Sequence, residues 1–309
     1  MLKLSKLIMT FFLAALAILL VLYFCFVICL GVVMPHQWYA DVTQTQTLEF
    51  PQGSIRYTES GSGENAVILL HGYNSQINIW NHIWSDMDAC THTIRLDLPG
   101  FGGSQWQTND YNLNAQATRV VAFLQTKNIT RVTLVGTSMG ASLAVMIAAK
   151  RPDLVSSLIL MAPSGYPGSL TYTGIFGLFV KAGTLNRISI WVAKTLLFQW
   201  IFPHSIALQS LTTVSSYTDE WVNALVQIEA PVALLWSTGD ATVPYTFSGA
   251  ISQALKYERL LSLDANVGHN TPIKESVRVA HLACAMAPEK GVVSLEQLDL
   301  IISHIFGRD

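Results

Sequence analysis

Charge is scarce in this chain. Only 12% of its 309 residues are Asp, Glu, Lys or Arg, and they nearly cancel, leaving a formal net charge of −2. A nucleic-acid-binding face needs concentrated Lys and Arg, so that class of partner is excluded. Cysteine is scarce too: the four thiols are Cys25, Cys29, Cys90 and Cys284. They are too few and too scattered for a disulfide framework, and no metal-ligand spacing accompanies them. Cys90 and Cys284 could pair if the domain faces an oxidising compartment, but sequence does not bring their α-carbons within reach, and two free buried thiols is the plainer expectation. No metal or cofactor is expected. No internal repeat and no low-complexity tract is present.

What the chain has instead is apolar surface, at 51% hydrophobic residues. Much of the excess lies at the start, where Leu7 to Val33 carries no charged residue. About 20 residues of helix cross the hydrocarbon of a bilayer, so this run is long enough to span. A cleaved signal peptide has a shorter apolar core and a small-residue cleavage site. Gly31-Val32-Val33-Met34 offers no such site, and residues 1–34 are therefore read as an uncleaved membrane anchor. Lys3 and Lys6 precede the run and the next basic residue is Arg56. The positive-inside rule then leaves the N-terminus cytoplasmic and the remainder on the extracytoplasmic, periplasmic side.

Beyond a short polar connector, apolar strands alternate with amphipathic helices. Leu48-Glu49-Phe50 and Ser54 to Thr58 flank Pro51-Gln52-Gly53 as an opening hairpin. Strands are expected at Ala66–Leu70, Thr93–Leu96, Arg131–Val135, Leu154–Ala162, Val232–Trp236 and Arg259–Leu263. The helical stretches between them are Ile77–Met87, Asn112–Thr126, Ala141–Lys150 and Phe247–Leu255, with closing helices near Val277–Met286 and Leu295–Ile305. Alternation of this kind implies an α/β fold with a mostly parallel sheet covered on both faces. Residues 35–165 and 231–309 form that core. Residues 166–230 break the rhythm with helical apolar stretches and only six charges, and read as a helical cap over the strand ends. In it, Ile188–Phe202 is apolar nearly all round, so Trp191, Phe198 and Trp200 are candidates to line a substrate pocket, although packing of the cap on the core explains them equally.

Gly136-Thr137-Ser138-Met139-Gly140 sits between a strand and a helix, with the serine at the apex of the turn. Such a turn lifts a hydroxyl out of the sheet, and glycine on either side lets neighbouring backbone pass close by. A serine needs a base to take its proton and a carboxylate to orient that base. Asp240, in Ser237-Thr238-Gly239-Asp240, follows one strand; His269, in Val267-Gly268-His269-Asn270, follows the next. Asp264 also follows a strand, one too late for the acid. The N–H groups of Met139 and of Tyr73, in Leu70-His71-Gly72-Tyr73, are placed to receive a negative oxygen, with His71 supporting the loop.

Together with Asp97-Leu98-Pro99-Gly100-Phe101-Gly102-Gly103-Ser104, these motifs resemble the α/β-hydrolase fold superfamily of serine hydrolases, capped branch, across nearly all of residues 48–309. With the anchor, the chain is most similar to membrane-anchored monoacylglycerol lipases and bacterial esterase-lipases. Ala141 departs from the pattern, standing where that group usually has a third glycine. The resemblance implies a catalytic triad of Ser138, Asp240 and His269, an acyl-enzyme, and a lipid-like or small ester substrate. It leaves open a carbon–carbon bond hydrolase or cofactor-free perhydrolase, which use the same three residues, and disfavours a non-catalytic binding domain, because no triad member is missing.

Overall fold

The computed structural model describes Ile18 and residues 42–73, 75–87, 92–107, 110–169, 218–287 and 291–307. Contacts divide the chain into Met1–Ala40 and Asp41–Asp309. Of the run expected to anchor the protein, only Ile18 is among the described residues, in helical conformation. Among the described residues no helix is long and apolar enough to cross a membrane.

Among the described residues nine strands build one sheet. The antiparallel end is β1 (Gln46–Phe50), β2 (Gly53–Ser60) and the two-residue β5 (Gln105–Trp106). The parallel body is β4 (Thr93–Leu96), β3 (Asn65–Leu70), β6 (Arg131–Thr137), β7 (Val155–Met161), β8 (Val232–Ser237) and β9 (Glu258–Leu263), in that spatial order. β2 joins the two parts by pairing antiparallel with β4. The hairpin turns more tightly than the sequence implies. Phe50 lies opposite Gly53, so Gly53 is already a strand residue, and β5 crosses it closely enough that a Cβ there would collide with the Gln105 carbonyl.

The parallel strands are apolar on both faces because both faces are covered. In β3, Ala66, Ile68 and Leu70 face one core while Val67 and Leu69 face the other, all at 0% exposure. β7 divides the same way, Leu158 and Leu160 against Ile159 and Met161. The first core is closed by α2 (Leu113–Thr126), α3 (Met139–Lys150) and α4 (Asp219–Leu225), with Ile251 of α5 (Ser248–Ala254). The second is closed by α1 (Asn81–Met87), α7 (Ser276–Ala285) and α8 (Leu295–Phe306). Between β9 and α7 lies the single turn α6 (Thr271–Lys274). Local sequence sets the helix ends. The Asn112 side chain accepts from the Ala115 N–H, Ser294 and Gln297 form a reciprocal capping box, and Gly307 closes α8 in the left-handed conformation. Ile77–Met87 is not one helix, since its first turn, Ile77–Trp80, is a 3₁₀ turn.

After β7 the next described element is α4, through which the chain returns to the sheet at β8. Trp221 fixes this return: it is fully buried and its indole N–H donates to the Ser142 carbonyl of α3 at 2.9 Å. Cys284 in α7 is disulfide-bonded. That corrects the expectation of a free thiol there, which rested on sequence separation alone; Cys90 lies outside the described residues.

Candidate active site

β6 runs into α3 through Ser138. Ser138 has φ 53° and ψ −116°, a conformation that costs a residue with a side chain about 1–3 kcal/mol and persists only where surroundings enforce it. The enforcing contacts are visible. The Ser138 N–H donates to the Met161 carbonyl at the end of β7 (2.8 Å), and the Ser138 carbonyl accepts from the Ser142 N–H (3.0 Å) to start the helix. A Cβ on Gly136 would sit 2.5 Å from the Gly140 carbonyl oxygen, and one on Gly140 would run into the backbone carbonyls of Leu70 and His71. The two glycines therefore let strand, helix and the end of β3 close together beneath the serine.

Asp240 and His269 come from the ends of β8 and β9. The Asp240 side chain is fully buried and both its oxygens are engaged: Oδ1 accepts from the Thr242 and Val243 N–H groups (2.9 Å each) and Oδ2 lies 2.7 Å from His269 Nδ1. An ionised carboxylate only accepts, so Nδ1 carries the proton and Nε2 is left as the basic nitrogen. Asp264 is exposed, and its backbone carbonyl accepts from the Val267 N–H and the Ser237 hydroxyl, so it is Asp240 that the fold brings to the imidazole. β7 alone separates β6 from β8, a gap of roughly 10 Å at ordinary strand spacing. Among the described residues no hydrogen bond joins the Ser138 hydroxyl to His269, whose Nδ1 is engaged by Asp240; a nucleophile–base bond is often long until the reaction complex forms.

The loop after β3 completes this edge of the sheet. A Cβ on Gly72 would lie 3.3 Å from the Ser138 Cβ, so the backbone preceding Tyr73 passes directly beside the serine. Met139 is the first residue of α3, where a backbone N–H has no partner within the helix. His71 is fully buried and ties two loops: its Nε2 accepts from the Leu98 N–H (2.9 Å) and its Nδ1 donates to the Gly72 carbonyl (2.8 Å). Asp97 holds the next turn, accepting from Arg56 Nε (2.6 Å), the Ile77 N–H (2.7 Å) and the Gly103 N–H (2.7 Å). Gly102, at φ 54°, is required there because a Cβ would strike the Asp97 carboxyl.

Burial pushes the His71 imidazole below its ordinary 6.5, outweighing the opposite pull of Asp97. An unfolded chain protonates this histidine below about pH 6.5 while the folded one resists, so stability present above that pH is lost as pH falls. The thermal midpoint is expected to decline with acidification, less steeply in His71→Asn. Equal acid-side slopes in the two proteins would contradict a neutral, buttressing His71.

Among the described residues no group of three His, Cys, Asp or Glu could hold a metal. Trp191, Phe198 and Trp200 lie outside the described residues. Sequence reasoning missed the tertiary contacts of Ser237 and Trp221 and the pairing of Arg56 with Asp97, because these depend on what the chain folds against each residue.

The family profile described as the alpha/beta hydrolase fold matches residues 65–202. Two solved structures superpose over most of the molecule: a membrane phospholipase A (TM-score 0.60, 19% identity, 100% of both chains) and a putative lipase from Acinetobacter baumannii (TM-score 0.61, 19% identity, 86% of this chain and 93% of that one). The chain has the α/β-hydrolase fold. Its Ser138 turn, the ends of β8 and β9, and the loop after β3 occupy one edge of that fold. Among curated proteins, the Xenopus laevis monoacylglycerol lipase abhd6-A is 31% identical over 139 residues, 43% of this chain and 41% of that protein. The chain thus spans less than half the length of that relative. A 2-hydroxy-6-oxononadienedioate/2-hydroxy-6-oxononatrienedioate hydrolase from Paraburkholderia phymatum is 27% identical over 220 residues, 62% of this chain and 76% of that protein.

Proposed function

We propose that the protein is a serine hydrolase of lipid-like carboxylic esters. The observation that carries this reading is the buried Asp240 carboxylate 2.7 Å from His269 Nδ1, on the sheet edge where Ser138 projects from a strained turn. Ser138 Oγ attacks the ester carbonyl as His269 Nε2 takes its proton, and Asp240 stabilises the imidazolium. The oxyanion is received by the N–H groups of Met139 and Tyr73. Collapse expels the alcohol with the proton from His269, leaving an acyl group on Ser138. Water, deprotonated by the same histidine, then releases the acid and restores the hydroxyl.

The substrate class is supported by the abhd6-A relative and by the apolar composition of residues 166–230; on this reading Asp219–Leu225 packs on the core and the stretch before it is the helical cap, with Trp191, Phe198 and Trp200 lining the acyl pocket. Residues 1–34 anchor the domain, with the N-terminus cytoplasmic and residues 35–309 on the extracytoplasmic side. The charge-free run Leu7–Val33, the lysines before it and a disulfide at Cys284 all favour that topology, since disulfides persist in oxidising compartments.

Assays of purified full-length protein on monoacylglycerols and on p-nitrophenyl esters of rising chain length test the substrate; hydrolysis should favour acyl chains longer than acetate. A second reading, cleavage of a carbon–carbon bond by the same residues, is favoured by the longer stretch of chain matched in the Paraburkholderia relative. Turnover of 2-hydroxy-6-oxononadienedioate with no activity on any ester would replace the first reading by the second.

A further inference from the structure

We propose that Ser237 is a positioning residue for the Asp240–His269 pair, a role that rests on the hydrolase reading above. Ser237 ends β8, is fully buried, and is three residues before Asp240. Its hydroxyl donates to the Asp264 carbonyl (2.6 Å), on the loop that carries His269, and accepts from the Gly268 N–H (2.9 Å), the residue immediately before the histidine. The same oxygen accepts from the Gly239 N–H (3.3 Å), immediately before Asp240. One hydroxyl thus uses its donor and both acceptor sites to join the acid's loop to the base's loop.

The other bonds of the histidine loop do different work. Val267 N–H to the Asp264 carbonyl (3.1 Å) and Asn270 N–H to the Val267 carbonyl (3.3 Å) are local turns that shape the loop without fixing it to β8. The Thr238 N–H to the Leu263 carbonyl (3.1 Å) extends the pairing of β8 with β9 but ends before the loop begins. Gly239 packs so closely on Ala265 that a side chain there would collide with the Ala265 carbonyl, so the two loops touch backbone to backbone. Ser237 fixes the register of that contact. Gly268, at φ 58°, then turns the chain so that His269 meets Asp240. Without the hydroxyl, the Gly268 N–H loses its acceptor and the histidine loop is free to shift against the carboxylate.

Misplacement by about 1 Å can cost roughly 100-fold in rate, so Ser237→Ala is expected to lower kcat on a chromogenic ester by about 10–100-fold. KM should stay within about two-fold, because the hydroxyl acts on the base and not on bound substrate. In an Asp240→Asn background the same substitution should cost less than about three-fold, because the pair it positions is already broken. A purely structural role would cost the same in both backgrounds, and that outcome overturns the proposal, as does an unchanged kcat in folded Ser237→Ala. If the alanine variant fails to fold, Ser237→Cys, close in shape and a poor hydrogen-bonding group, carries the same comparison. Ser138→Ala run alongside separates two failures. Activity that survives it overturns the hydrolase reading, whereas activity that needs Ser138 but ignores Ser237 overturns only the positioning role.

Discussion

Ser138→Ala is expected to lower ester turnover by roughly 10⁴–10⁶-fold, the usual consequence of removing a triad nucleophile. The substitution deletes one oxygen and little else. The Ser138 backbone is held by its N–H bond to Met161 and by the start of α3, both of which alanine keeps. Alanine is no better suited than serine to φ 53°, so the strain of the turn is retained and not relieved. The thermal midpoint should therefore stay close to wild type while kcat collapses. Steady-state kinetics with a p-nitrophenyl ester, paired with a melting curve, makes the comparison. A folded variant with turnover within about ten-fold of wild type would place the nucleophile elsewhere.

The second large effect belongs to the acid and the base. Asp240→Asn preserves size and an acceptor for the Thr242 and Val243 amides, yet presents an NH₂ donor to His269 Nδ1. The imidazole must then accept at Nδ1 and carry its proton on Nε2, the wrong tautomer for a general base. A loss of about 10⁴-fold in kcat is expected from that inversion alone. His269→Ala should cost as much or more, and the double variant should be little worse than the poorer single one, because residues that act as a unit do not add. Additive losses would mean that the two side chains serve different steps. Ser237 extends the same logic one residue outward, from the groups that react to the hydroxyl that aligns them.

Much of this site was legible because it depends on local rules. β3 reads as a strand from Ala66 to Leu70 because five successive apolar residues suit a strand buried on both faces, and all five are at 0% exposure. The Ser138 turn reads from its two glycines because each close approach leaves no space for a Cβ, and the structure shows the backbone atoms that would be struck. Asp240 was separable from Asp264 by strand order alone. What sequence did not reveal depends on distant partners. β5 is two residues long and exists only because Gly53 and Ser54 of β2 offer a backbone to pair with. The bonded state of Cys284 is invisible in a spacing pattern. Ser237 looks like any strand-end serine until two loops fold over it. Trp221 looks like an apolar helix residue until the Ser142 carbonyl reaches its indole.

The most direct measurement is intact mass of the full-length protein after fluorophosphonate treatment, followed by peptide mapping of the adduct. A phosphonyl group on an alcohol forms readily only where the hydroxyl is activated and the resulting oxyanion is received. One adduct per chain, on the peptide containing Ser138, lost in Ser138→Ala and strongly slowed in His269→Ala, is the expected result. An unlabelled wild-type protein, or an adduct on any other residue, would contradict the account.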